Sequence, residues 1–286
     1  EKQLIPELKA NISKIIKDFE LSISALKAYN CLIEIYEDKN IPDPKKKLEY
    51  LNSFSSEVVS IITSQDFYSK TFRESNSVLR KFFLFYSIQD EYLNEGLKFF
   101  SKFTQFISSQ QFNSIKAFLF YFAYQSRNYN TKEVKEILSQ LLLNAELVDN
   151  KTYLDFCMYC FYRGLYFIEH KDYYMASYFY CTAVSMGLKT SQKGVKLLNR
   201  FTCQMIRSLC FLKFMTNYKI TQTLFADRFR RNSDDYLLIE HEDVSFCLDF
   251  IKEDKSDIKS FNEFKQKNLD NFKDCRLKGL MRLAEE

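Results

Sequence analysis

The chain has 286 residues, 46% of them hydrophobic and 27% charged, and a formal net charge of +4 from 41 basic and 37 acidic residues. That balance excludes a disordered chain, which lacks the apolar residues to build a core, and it is too even for the concentrated basic surface of a dedicated nucleic-acid binder. Five glycines, three prolines and no Asn-Gly or Asp-Gly pair exclude a large sheet protein, whose tight turns consume those residues.

Apolar residues recur at helical spacing along the chain. The first predicted helix spans 8–19, with Leu8, Ile12, Ile15, Ile16 and Phe19 on one face, and the second spans 22–36. Pro42, Pro44 and the run Lys45-Lys46-Lys47 mark 40–47 as a loop. Helices follow at 48–63, 75–88, 90–109, 111–126 and 131–146. Arg127-Asn128-Tyr129-Asn130 breaks the last two apart, and Thr131 is placed to cap the helix that follows. Further helices are predicted at 151–169, 172–187, 191–217, 219–231, 234–253, 255–267 and 270–286, and no strand is needed anywhere. No apolar run approaches the roughly 18–20 residues that cross a bilayer, and the N-terminus has no secretory h-region. The chain begins at Glu1 rather than Met and ends inside a helical pattern at Glu286, so it reads as a piece of a longer protein.

Little in the sequence offers chemistry. Eight scattered cysteines without a dense framework read as reduced thiols of an intracellular protein. Cys157 and Cys160 form a C-x-x-C, but there is no second pair and no βαβ pattern, so they read as small apolar residues on a helix. His170 and His241 are the only histidines, and five isolated glycines cannot form a phosphate-cradling loop. No catalytic residue, metal site, cofactor or small-molecule substrate is therefore expected. The 29 Phe and 19 Tyr fall in dense apolar runs such as Phe82-Phe83-Leu84-Phe85-Tyr86 and Phe118-Leu119-Phe120-Tyr121-Phe122. Rings that stack on nucleobases are instead interleaved with basic residues, so these read as core. Arg228, Arg230 and Arg231 form the densest basic cluster. A solvated helix end is the plain reading, and a partner or nucleic-acid contact is the alternative to test.

A string of helices with short connections is either a bundle or a solenoid of stacked pairs. A tetratricopeptide-like unit favours the solenoid: Gly164 precedes Phe167 by three, Ala176 precedes Tyr180 by four, and Ala183 lies seven beyond Ala176. Small side chains let paired helices cross closely while aromatics fill the space around them. Cys160 and Arg163 stand where the pattern places Trp and Leu, so the match is partial.

The unit lies in an aromatic run, Phe156-Cys157-Met158-Tyr159-Cys160-Phe161-Tyr162-Arg163-Gly164-Leu165-Tyr166-Phe167. A polar turn at 169–172 and the helix beginning Tyr173-Tyr174-Met175-Ala176 follow it. This resembles the helical region upstream of the winged helix in PCI subunits of the proteasome lid, the COP9 signalosome and translation initiation factor 3, and it is most similar to the signalosome branch. The helix holding Arg200 and Arg207, then Asp235-Tyr236-Leu237-Leu238 and Phe272-Lys273-Asp274, extend the likeness over about 145–286. The resemblance implies an all-α fold: a right-handed superhelix of stacked antiparallel, TPR-like helix pairs with the helical part of a PCI module towards the C-terminus. The winged helix is absent, because the chain stops before one could form. Two regions are expected, an N-terminal helical repeat region at 1–145 and the PCI-like region at 146–286. The implied role is a non-catalytic scaffold of cytoplasm and nucleus. Its expected partners are other PCI-complex subunits, and neither membrane nor nucleic acid is among them. A proteasome-lid scaffold and an RNA-associated, mRNA-export PCI protein are the alternatives.

Overall fold

In the computed structural model, three-to-four spacing of apolar side chains underlies the longer helices, and side-chain caps at Asn113, Thr131 and Asn199 fix the starts of three helices. The structure describes residues 19–37, 44–64, 67–108, 112–140, 152–191 and 199–216, with single positions at 247, 251, 262, 263 and 266. Among these, every regular element is helical. The chain divides into two compact units, Glu1–Leu141 and Leu142–Glu286.

Unit 1 contains α1 (Phe19–Glu37), α2 (Pro44–Ile62), the short α3 (Phe67–Lys70), α4 (Phe72–Ser87), a 3-10 turn (Asp90–Tyr92), α5 (Leu93–Ser101), the short α6 (Thr104–Ile107), α7 (Ser114–Gln125) and α8 (Lys132–Ser139). Helix α4 packs on α1 and α5, and α5 packs on α7. The expected loop at 40–47 is corrected in part, because α2 already begins at Pro44 and takes Lys45-Lys46-Lys47 into its first turns. Proline suits the first helical position, where no N–H is needed. The buried positions Leu51, Phe54, Val58, Ile61 and Ile62 then hold the helix despite cations at its positive end. The single helix expected at 90–109 is broken at Lys102–Phe103, which turns Phe103 inward until it is fully buried, 5.5 Å from the Phe99 ring. Helix α8 stops at Ser139 rather than 146, because Gln140 leaves helical geometry. Its side-chain amide donates to the Ile107 carbonyl (3.3 Å) and accepts from Lys116 Nζ (3.1 Å).

The aromatic runs form the core. Phe82, Phe100, Phe118, Phe120 and Phe122 are fully buried, and the Phe82 and Phe99 rings stack at 4.4 Å. Each such ring contributes about 1.5–3 kcal/mol on burial. Thr131 caps α8 as expected, accepting from Val134 N (3.3 Å).

Unit 2 contains α9 (Tyr153–Glu169), α10 (Tyr173–Ser191) and α11 (Arg200–Met215). Helix α10 packs along both α9 and α11, and α9 also reaches α11. The helix expected at 191–217 begins only at Arg200. Asn199 caps it, its Oδ1 accepting from Phe201 N and Thr202 N at 3.0 Å. Helices expected at 8–19, 219–231, 255–267 and 270–286 lie wholly or largely outside the described residues, as does most of 234–253.

Helices α7 and α9 end alike. Arg127 (φ 55°) and Lys171 (φ 60°) take the left-handed conformation. The next residue's N–H reaches back five positions, Asn128 to Ala123 O (3.0 Å) and Asp172 to Phe167 O (2.9 Å). This is a Schellman ending, usually closed by glycine. A chain with five glycines spends basic residues there instead.

Candidate functional site

The residues of the tetratricopeptide-like unit sit where α9 crosses α10. Gly164 lies against the Tyr180 ring, and a methyl group built on its α-carbon would sit 2.6 Å from Cζ and 2.7 Å from Cδ1. Only a residue without a side chain fits there. Tyr180 is fully buried; its ring stacks on Phe161 (centroids 6.3 Å) and its hydroxyl donates to the Phe161 carbonyl at 3.4 Å. Phe167 stacks on Phe179 at 5.6 Å. Ala176 and Ala183 are fully buried, and the Ala183 carbonyl accepts from Tyr153 OH (3.3 Å). Gly164 and Tyr180 thus form the close contact of the pair, and Phe167, Ala176 and Ala183 lie on the same two helices.

Arg163, the position that departs from the repeat pattern, is the largest fully buried side chain described. Its Nη1 donates to Tyr159 Oη at 2.6 Å, and its guanidinium lies 4.4 Å from the Phe179 centroid and 5.8 Å from that of Phe167. A planar cation flanked by ring faces gains cation–π stabilisation. Burial pushes the Tyr159 phenol upward, and the neighbouring guanidinium offsets part of that shift. Sequence spacing exposed the mismatch at Arg163 but not its use, since the rings that receive it come from two helices.

A polar cluster joins α9, α10 and α11. Tyr153 OH shares a hydrogen bond with Thr202 Oγ1 (3.4 Å), and Cys157 Sγ with the same hydroxyl (3.5 Å). Cys157 and Cys160 are fully buried, and burial raises both thiols above the ordinary cysteine range, Cys160 strongly. Nucleophilic and metal-binding cysteines need the thiolate, so this geometry gives the pair a packing role. Among the described residues no group of three or more His, Cys, Asp and Glu side chains converges, and no helix is long and apolar enough to cross a membrane. His170 is exposed in the α9–α10 turn, its Nδ1 2.7 Å from Tyr166 O. Arg228, Arg230, Arg231 and His241 lie outside the described residues.

Unit 1 holds a crossing that sequence reading missed. A methyl group at Gly96 of α5 would sit 2.6–2.8 Å from the Phe122 ring of α7. The sequences around the two crossings run parallel. Gly96-Leu97-Lys98-Phe99 matches Gly164-Leu165-Tyr166-Phe167, and Ala117-Phe118-Leu119-Phe120-Tyr121 matches Ala176-Ser177-Tyr178-Phe179-Tyr180. Helix α6 intervenes between the first pair but not the second, so a search at fixed period passes over the likeness. The registers differ by one residue, the glycine meeting Phe122 in one case and Tyr180 in the other.

Neither the protein-family models nor the curated proteins nor the solved structures contain a match to this chain.

Proposed function

We propose that this chain is a non-catalytic scaffold subunit of a multi-subunit PCI complex, similar to subunit 3 of the COP9 signalosome. Its helix pairs stack in a right-handed superhelix and hold neighbouring subunits in cytoplasm and nucleus. Cullin deneddylation belongs to another subunit of such a complex. The observation that carries the reading is the Gly164–Tyr180 crossing, the small-against-aromatic contact by which tetratricopeptide-like helix pairs pack. The related Gly96–Phe122 crossing supports a second pair built on the same principle, as stacked-repeat scaffolds require.

Affinity purification of the full-length protein from its own cells tests the assignment. Co-recovery of PCI subunits together with cullins is the expected result, and recovery of proteasome components instead moves the chain to the lid. Recovery of no PCI subunit overturns the assignment. Salt-sensitive RNA binding that weakens when Arg228, Arg230 and Arg231 are neutralised would favour the export-adaptor alternative.

A further inference from the structure

Cys210 of α11 is fully buried, and its thiol lies against two backbone carbonyls, Ile206 O at 3.6 Å on its own helix and Cys247 O at 3.5 Å. The second contact spans 37 residues of chain. Cys247 is itself buried, and so is Ile251, four residues on. The carbonyl oxygen of Cys247 is two bonds from the Cα that bears the second thiol, and the two thiols hydrogen-bond side chain to side chain. Two buried sulfurs from distant parts of the chain thus meet. Cys157 and Cys160 do not repeat the arrangement, because they stand on one helix, where a bond between them would fasten no element to another.

A third group belongs to the cluster. Lys213, three residues beyond Cys210 on α11, is almost wholly buried. Burial, and then the neighbouring Cys247 thiol, push the Cys210 thiol well above the ordinary cysteine range, and the lysine cation offsets part of that shift. A cation beside a thiol favours the thiolate that attacks a disulfide. Burial acts on access: a reagent reaches either sulfur only when the chain at Cys247 lifts from α11. A sulfur that then carries a bulky adduct no longer fits the packed state, and the neighbouring thiol is the group placed to displace it.

We propose that Cys210 and Cys247 form an oxidisable pair, which a low-molecular-weight disulfide converts into a bond that locks the chain at Cys247 onto α11. One thiol gives up its proton and attacks the reagent, forming a mixed disulfide and releasing one reagent thiol. The second cysteine attacks that mixed disulfide and releases the other. The two cysteines lose two electrons and two protons, and the reagent gains both as two thiols. A reducing compartment keeps the pair open, and an oxidising shift closes it. The lock does not depend on which complex the chain joins.

The test treats the full folded chain with oxidised glutathione at neutral pH, in a Cys31→Ser background that removes the exposed thiol. Remaining thiols are alkylated in urea, and tryptic peptides are mapped by mass spectrometry without reduction. Peptides 208–213 and 232–252 should appear joined, lighter than their sum by two hydrogens, and dithiothreitol should separate them. The oxidised chain should melt at least about 5 °C higher, because the bond closes a long loop in the unfolded chain. Cys210→Ser and Cys247→Ser, near-isosteric changes whose folding far-UV circular dichroism checks, should each abolish that rise. Both peptides recovered alkylated, either cysteine joined to a different one, or glutathione left on either overturns the proposal. A joined pair that melts no higher than the reduced chain overturns the lock.

Discussion

Replacing Gly164 by alanine tests the α9–α10 crossing directly, because two effects of opposite sign compete. In an exposed helix interior the change would stabilise by about 0.8–1.0 kcal/mol, since alanine loses less backbone entropy. Here the added methyl meets the Tyr180 ring, with Cζ at 2.6 Å and Cδ1 at 2.7 Å, about an ångström inside normal carbon contact. The ring cannot yield cheaply, since it is fully buried, stacked on Phe161 and tied by its hydroxyl to the Phe161 carbonyl. Overpacking of this kind costs about 1–3 kcal/mol. After the propensity gain, Gly164→Ala should destabilise by up to about 2 kcal/mol. Urea unfolding followed by far-UV circular dichroism measures it in this tryptophan-free chain. A cycle with Tyr180→Leu isolates the contact: with the ring gone, the alanine should become neutral or stabilising. If Gly164→Ala alone raises stability by about 1 kcal/mol, the close crossing is refuted.

Gly96→Ala should behave likewise against Phe122 in unit 1, destabilising by up to about 2 kcal/mol in the same urea assay. Tyr159→Phe removes the hydroxyl that accepts from Arg163 Nη1 and should cost about 1.5–3 kcal/mol, the range for a hydrogen bond to a charged group. Arg127→Gly should instead stabilise by about 1 kcal/mol by relieving the left-handed conformation, a rise readable as a higher melting temperature. Burial raises the thiols of Cys157, Cys160 and Cys210 in the folded protein, so the native state holds their protons after the unfolded chain has released its own. Their contribution to stability is fully present below the unfolded thiol range and is lost as pH rises through and beyond it. The urea midpoint should therefore fall between about pH 8 and pH 10, and fall less in Cys160→Ala. A thiol reagent at neutral pH should label exposed Cys31 before these three.

Much of the architecture was legible because helices are local objects. Three-to-four spacing placed α4, α7, α9 and α10 to within a few residues, and Thr131 was read correctly as a cap because its partner is three residues away. Errors arose where a distant group decided the outcome. Helix α8 ends early because Gln140 is drawn to Lys116 and Ile107. The predicted helix at 90–109 breaks because Phe103 turns inward to pack against Phe99 and Phe100. Two misplaced starts were local signals passed over, Pro44 as a first helical residue and Asn199 as a cap.

The sequence by itself determined the all-helical class, the aromatic core and the glycine-marked helix pair in unit 2, since composition and periodicity report what each residue does with its near neighbours. Tertiary structure alone decided that Arg163 is a core residue held by Tyr159 and Phe179, that Gly96 and Phe122 meet, and that Cys210 and Cys247 meet. Gly96–Phe122 and Cys210–Cys247 join residues far apart in the chain, and Arg163 needs rings from both α9 and α10. Such contacts carry no periodic signature, because their energy comes from packing and desolvation between helices rather than from propensity within one.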